Sequence, residues 1–255
     1  KRDATQELTF TSNALPKGSL DELERYLADS ESAFTDLRDG TAKQIIWANP
    51  AQKTVTDFAI VYIHGFSASK METAPVPQNL AKALGANLFF TRLAGHGRSG
   101  DAMAEPRFSD WLDDTVEALA IGKRLGRKTI VVSASTGSTL VTWAAANADL
   151  AGQIDAMVNI SPNYAIHGAP TWMLNMPWAE TILPPLLGAE RSFETSNDLH
   201  AKFWTSTYPT TAVLPMAALV KHSRSLPFEN IEKPALFIYS EADTVVDNMV
   251  SKKVM

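Results

Sequence analysis

The clearest candidate for chemistry is a serine inside a run of small residues, Ser133-Ala134-Ser135-Thr136-Gly137. A β-branched run from Thr129 to Ser133 precedes it, and a helical pattern from Thr136 to Asn147 follows it. At a tight bend between a strand and a helix, small neighbours let the two elements approach and leave the central serine at the tip, as in the pattern GxSxG. Ser133 stands where that pattern has its first glycine. The pattern predicts that Ser135 is a nucleophile; the alternative is a serine that only caps the helix.

A second group of residues, Tyr62-Ile63-His64-Gly65-Phe66, ends the apolar run from Phe58 to Ile63. Acyl transfer needs N–H donors aimed at the oxygen that becomes negative, and a glycine after a strand lets the backbone turn such donors inward. The backbone N–H groups of Phe66 and Thr136 are the candidates for this oxyanion hole. For His64 we prefer the interpretation that it holds the loop by hydrogen bonds rather than carrying protons.

Acidic residues follow the last apolar run, Ala235 to Tyr239, in the segment from Glu241 to Asp247. A catalytic histidine needs a carboxylate that fixes its tautomer and stabilises its charged form. Asp243 fits this role best because it comes directly after the turn, and Glu241 and Asp247 are the alternatives. The non-catalytic interpretation is an acid that caps a helix or faces solvent.

A further glycine-flanked loop, Ala94 to Ser99, follows the apolar run from Asn87 to Thr91. It contains neither GxGxxG nor a GKS or GKT sequence, so it does not predict a phosphate site. We interpret its histidine, His96, as structural.

Short apolar runs alternate with helical patterns along most of the chain, which is typical of parallel βαβ units. The predicted strands cover residues 58–63, 87–91, 129–133, 156–160 and 235–239, with a short edge strand at 44–47. The predicted helices are a solvent-facing one at 20–37 and others at 78–84, from 108 to about Gly126, and at 136–147. Unbroken apolar runs indicate strands buried on both faces. We therefore expect an α/β fold with a mostly parallel central sheet flanked by helices.

The alternation fails between residues 161 and 233, where prolines and large apolar residues accumulate. This interval is longer than a strand connection needs. It predicts a mostly helical cap inserted into a core that consists of residues 1–160 and 234–255. Trp172, Met176 and Trp178 are the candidates for a substrate pocket under the cap.

The composition excludes several classes of protein. A chain of 255 residues with 45% hydrophobic residues can bury a full core, and its net charge of −5 disfavours nucleic-acid binding. The absence of cysteine excludes disulfides, a thiolate nucleophile and thiolate metal sites, and it suits both a reducing cytosol and an export route. No apolar run approaches the ~20 residues that a membrane span needs, so none is predicted.

Taken together, HGF at 64–66, GHG at 95–97, SASTG at 133–137 and EADTVV at 241–246 resemble the α/β-hydrolase superfamily, in its carboxylesterase and monoacylglycerol-lipase-like branch. The resemblance implies the α/β-hydrolase fold, with Phe66 and Thr136 as oxyanion donors and a cap over an acyl pocket. It also implies a serine hydrolase of small-molecule or lipid carboxylic esters that works through an acyl-enzyme, without a metal or an organic cofactor.

The sequence departs from this family in one respect. The catalytic residues of the fold occur in the order serine, acid, histidine, but every histidine of this sequence precedes Asp243: His64, His96, His167, His200 and His222. We expect the catalytic histidine after Met255, together with a last strand and helix that the sequence lacks. The alternatives are a histidine recruited from the cap and a catalytically inactive relative.

Several functional alternatives stay open at this point. A thioesterase, a peptidase or a lactone-cleaving enzyme could use the same fold, because pocket shape decides the substrate. A non-catalytic binding protein could use the pocket without turnover. The apolar cap could also contact a membrane surface. The sequence does not decide the oligomeric state.

Overall fold

In the part of the chain that the structure describes, six strands form the central sheet, and helices cover both of its faces. The structure, a computed structural model, describes Thr9 and residues 15–166 and 171–254. The strands are β1 (Gln44–Ile46), β2 (Thr56–Ile63), β3 (Asn87–Phe90), β4 (Gly126–Ala134), β5 (Ala156–Ile160), β6 (Glu190–Ser192), β7 (Thr207–Pro209) and β8 (Ala235–Ile238). The helices are α1 (Leu20–Ser32), α2 (Val76–Leu84), α3 (Phe108–Leu125), α4 (Thr136–Ala146), α5 (Ala148–Ala151), α6 (Thr171–Leu174), α7 (Ala179–Leu187), α8 (Asp198–Phe203), α9 (Val213–Ser223) and α10 (Asn248–Val254).

The sheet has the order β1-β3-β2-β4-β5-β8. All its neighbouring strands are parallel except β1, which pairs antiparallel with β3. Alternate residues of β2 enter two different apolar clusters, with Val61 and Ile63 packed on one face and Ile60 and Tyr62 on the other. The prediction of a mostly parallel sheet between two helical layers is therefore confirmed.

Helix α1 differs from its prediction in length and in burial. It ends at Ser32 rather than at Leu37, and it buries Leu23, Leu27 and Glu31. The Ser32 hydroxyl donates to the carbonyl of Asp29 at 2.8 Å, a local hydrogen bond of the kind that competes with helix continuation. The predicted helix was thus wrong in its last turn, and one face of it is buried while the other faces solvent.

Strand β8 is not buried on both faces, contrary to the interpretation of its apolar run. Leu236 is 57% exposed and Ile238 is 47% exposed. Within the described residues β8 pairs only with β5, so it lies at an edge of the sheet and lacks cover there.

The segment between β5 and β8 contributes no described strand to the central sheet. It contains helices α6 to α9 and an antiparallel pair of strands, β6 and β7, with α8 between them along the chain. Helix α9 packs against α3 and α4, which attaches this segment to the core. His167 lies outside the described residues. Across the described ranges, the structure contains no helix with the length and apolar character to cross a membrane.

Candidate active site

Ser135 occupies a sharp turn between β4 and α4. Its φ of 49° and ψ of −116° lie in a region that residues other than glycine rarely adopt. Backbone hydrogen bonds hold this conformation: Ser135 N donates to Ile160 O at 2.9 Å, while Ser135 O accepts from Asn163 N at 3.2 Å and from Ser138 N and Thr139 N of α4 at 3.0 and 3.4 Å. The residue is half-buried. The structure therefore places Ser135 at the tip of the predicted bend.

The small residues around Ser135 have separate steric reasons. A Cβ atom on Gly137 would clash with Ile63 O and would lie 2.7 Å from His64 O, so the helix can begin here only with glycine. Ser133 takes the place of the first glycine, and its buried hydroxyl donates to Asn159 Oδ1 at 2.9 Å and lies 3.0 Å from Ser138 Oγ. Because these partners satisfy the hydroxyl, a serine is accommodated where the pattern has glycine.

The loop after β2 lies directly against the nucleophile turn. A Cβ atom on Gly65 would lie 2.9 Å from Ser135 Cβ. The Phe66 ring contacts the rings of His96 and Tyr208, with centroids 5.7 and 5.4 Å apart. Within the described residues, neither Phe66 N nor Thr136 N meets a hydrogen-bond acceptor. Both candidate oxyanion donors thus lie on segments adjacent to Ser135.

His64 is held entirely by the backbone. Leu93 N donates to its Nε2 at 3.1 Å, so Nδ1 carries the proton and donates to Gly65 O at 2.9 Å. Burial lowers the pKa of His64 to about 4. A neutral imidazole with both nitrogens engaged holds the loop, as the sequence interpretation expects.

His96 packs beside His64, with ring centroids 5.1 Å apart, and against Trp111. Its Nδ1 lies 3.1 Å from Ala94 O, and burial lowers its pKa well below the ordinary histidine range. These contacts fit the structural role assigned to His96.

Asp243 lies in the loop after β8, and Ser135 follows β4, so both lie at the carboxyl ends of parallel strands. Strand β5 separates β4 from β8 in the sheet. Its Oδ1 accepts hydrogen bonds from Val245 N at 2.8 Å and Val246 N at 3.1 Å. The loop is tied to the chain after β5 by a bridge between Ile166 and Val246. The alternative acid Glu241 instead forms a surface ion pair with Lys252 at 2.8 Å.

No histidine that the structure describes forms a hydrogen bond with Ser135 or Asp243. His200 packs between Phe193 and Trp204, and His222 lies against Phe108 with ring centroids 5.8 Å apart. The geometry therefore brings together the candidate nucleophile and the candidate oxyanion loop, but it shows no general base beside them.

Two of the three predicted pocket residues line one cavity. Met176 and Trp178 belong to the wall of a cavity of about 710 Å³ between α6, α7, α9 and the start of α3. Trp172 lines a separate, smaller cavity of about 260 Å³. Ser135 is not part of either wall, so the structure does not join these tryptophans to the nucleophile.

Sequence reasoning missed Glu72, a carboxyl group beside the nucleophile turn. Its Oε2 accepts a hydrogen bond from Gly65 N at 2.7 Å and from Tyr62 Oη at 3.2 Å. Burial raises the pKa of Glu72 to about 7, although both hydrogen bonds act in the opposite direction. The contact depends on how the loop after β2 folds back, and a lone glutamate among small residues carries no signal for that.

A mostly parallel sheet with a serine at a strained turn after a central strand defines the class of α/β hydrolases. The chain belongs to the family described as serine aminopeptidase, S33, whose model matches residues 55–255. No curated protein sequence matches the chain.

Solved structures share the fold at low sequence identity. One comes from work on the metagenome-derived lipolytic enzymes LipS and LipT, with a TM-score of 0.67, 20% identity, and coverage of 86% of this chain and 83% of that chain. The monoacylglycerol lipase of Paleococcus ferrophilus has a TM-score of 0.61 and 13% identity, with 83% and 82% covered. A soluble variant of the monoglyceride lipase of Saccharomyces cerevisiae has a TM-score of 0.57 and 18% identity, with 84% and 76% covered.

Proposed function

We propose that this protein is a serine hydrolase that cleaves carboxylic esters, as a carboxylesterase or a monoacylglycerol-lipase-like enzyme. The observation that carries the proposal is the strained turn of Ser135, φ 49°, with the backbone of Gly65 packed against it. A serine held in that conformation beside unpartnered N–H groups is arranged for acyl transfer.

In the proposed reaction Ser135 Oγ attacks the ester carbonyl carbon while its proton passes to a base. The N–H groups of Phe66 and Thr136 stabilise the tetrahedral oxyanion. When it collapses, the base gives its proton to the leaving oxygen, so that the alcohol departs and an acyl-enzyme remains. Water then attacks the acyl carbon and gives a proton to the base, the ester bond to Ser135 breaks, the proton returns to Ser135 Oγ, and the acid is released. Asp243 is the candidate that orients this base.

Ester substrates are favoured over other acyl compounds by two observations. The solved structures with the same fold include two lipases that act on monoacylglycerols by name. The segment between β5 and β8, which we assign as the cap, contains a cavity whose wall includes Leu174, Met176 and Leu214. These apolar side chains suit an acyl chain, although Glu180, Lys221 and His222 belong to the wall as well.

A second candidate function is a non-catalytic binding protein of the same fold. It is favoured by the lack of a hydrogen bond between Ser135 and any histidine in the described part of the chain. In that case the pocket would bind an ester or acid without turnover.

The discriminating experiment is labelling of the full-length protein with a fluorophosphonate probe, followed by turnover of p-nitrophenyl esters. We expect covalent labelling at Ser135 and ester hydrolysis, both abolished by Ser135→Ala and retained by Ser32→Ala, a matched change at an exposed serine. An unlabelled wild type that still binds fatty acids would support the binding protein. Turnover that survives Ser135→Ala would exclude Ser135 as the nucleophile.

A further inference from the structure

The carboxyl group of Glu72 faces the same glycine as the candidate nucleophile. A methyl group placed on Gly65 would lie 2.7 Å from Glu72 Oε1 and 2.9 Å from Ser135 Cβ. The carboxyl group and the carbon that bears the nucleophile therefore lie on the same side of Gly65. Glu72 is not among the site residues that the sequence predicts.

Glu72 holds the peptide on the N-terminal side of Gly65. Its Oε2 accepts the Gly65 N–H at 2.7 Å, and the Tyr62 hydroxyl donates to the same oxygen at 3.2 Å. Tyr62 is fully buried in β2, so the carboxyl group is anchored to the sheet itself.

The peptide on the C-terminal side of Gly65 is held from another direction. Gly65 O accepts hydrogen bonds from His64 Nδ1 at 2.9 Å and from Ala68 N at 3.3 Å. In a trans peptide the C=O and the following N–H point in opposite directions. The Phe66 N–H therefore points away from the two donors to Gly65 O, His64 Nδ1 and Ala68 N. Its orientation depends on the conformation of both peptides around Gly65.

We propose that Glu72 is a positioning residue of the oxyanion loop, which orients the Phe66 N–H by accepting the Gly65 N–H. This inference rests on the proposed serine hydrolase function. A glycine at this place has wide backbone freedom, and the bond to Glu72 restricts the peptide before Gly65 as the bonds to Gly65 O restrict the peptide after it. The role requires an acceptor atom at the end of the side chain and does not require its charge.

Two variants separate the acceptor from the charge. Glu72→Ala removes the acceptor, and we expect the rate constant of fluorophosphonate labelling at Ser135 to fall about 10- to 100-fold, somewhat less than the loss of an oxyanion donor itself. Glu72→Gln keeps a carbonyl oxygen at the same position, and its labelling rate is expected to stay near that of wild type. Glu229→Ala, a change at an exposed glutamate, is the matched control.

A second measurement reports the loop without reference to activity. Hydrogen exchange of the Gly65 amide, followed by NMR, is expected to be slow in wild type and in Glu72→Gln and faster in Glu72→Ala. Melting temperatures of all variants show whether a slow variant is folded.

Equal labelling rates for Glu72→Ala and wild type would overturn the inference, as would a Glu72→Gln variant as slow as Glu72→Ala. A wild type that does not label overturns the serine hydrolase function, and the positioning role with it. That outcome differs from a labelled wild type whose Glu72→Ala variant labels equally fast, which overturns the positioning role alone.

Discussion

Arg92 and Glu31 face each other through two parallel hydrogen bonds, from Nε to Oε2 at 2.8 Å and from Nη2 to Oε1 at 2.7 Å, and both side chains are buried. The guanidinium also donates from Nη1 to His96 O at 3.1 Å. This pair therefore links α1 to the glycine-flanked loop after β3. That loop lies at the carboxyl ends of the parallel strands, as the candidate site does.

Removal of one partner of this pair should be costly, because the other charge stays buried. We expect Glu31→Ala to lower the free energy of unfolding by about 3–5 kcal/mol. The matched control is Lys202→Ala, which removes an exposed ion pair with Asp39 and should cost at most about 1 kcal/mol. Urea unfolding measures both values, and a cost for Glu31→Ala as small as that of the control would contradict the prediction.

Gly137→Ala tests the close approach of α4 to β2. The added methyl group would clash with Ile63 O, a backbone atom that cannot move without distortion of the sheet. We expect a loss of about 3 kcal/mol or more in stability and a loss of labelling at Ser135. Gly152→Ala is the control, because a Cβ atom there meets nothing within 4 Å. Similar melting temperatures for the two variants would argue against the steric reason given for Gly137.

Ser133→Ala tests whether the hydroxyl at the first glycine position of the GxSxG pattern is structural. The change leaves Asn159 Oδ1 without its buried donor, so we expect the free energy of unfolding to fall by about 1–3 kcal/mol. The turn of Ser135 is held by backbone hydrogen bonds, so its labelling rate should be retained. Denaturant unfolding and labelling of the same preparation check both parts; lost labelling with full stability would assign Ser133 to the site itself.

The strands of the central sheet and helices α1 to α4 could be predicted from the sequence because burial imposes a local period on it. The run Ala156–Ile160 matches β5 at both ends, and the glycine that ends α2, Gly85, adopts the left-handed conformation expected of a helix C-cap. The turn at Ser135 was predictable for the same reason: a strand, small residues and a helix follow one another along the chain.

Features that depend on contacts distant in sequence were not predictable. The exposure of β8 depends on the absence of a neighbour beyond it in the described sheet, and its own residues are as apolar as those of β4. Strand β6, Glu190–Ser192, is exposed and carries no alternation of apolar residues. The hydrogen bond between Gly65 N and Glu72 forms only when the loop after β2 folds back, so the sequence gives no local sign of it.

The pKa of Glu72 makes stability depend on pH in a predictable direction. Burial raises its pKa in the folded protein to about 7, above the usual range of an unfolded glutamate. Between those two values the folded state binds more protons than the unfolded state, so the free energy of unfolding falls as the pH rises toward about 7. Glu72→Gln removes this pH dependence. As the pH rises from about 5 to about 7, the free energy of unfolding of wild type should therefore fall relative to that of Glu72→Gln by on the order of 2 kcal/mol. A difference between the two proteins that does not change with pH would show that Glu72 keeps an ordinary pKa.

The cavity between α6, α7 and α9 supports a final prediction about the acyl chain. Ala218 of α9 is part of its wall, together with Met176 and Trp178, and Ala218→Trp would fill part of the space. If the chain of the substrate extends into this cavity, each methylene that can no longer be buried costs about 0.8 kcal/mol. We therefore expect kcat/KM to fall much more for a p-nitrophenyl decanoate than for the acetate. Ala83→Trp, at an exposed position of α2, is the control and should affect both esters equally. The same loss for acetate and decanoate in Ala218→Trp would place the acyl chain elsewhere.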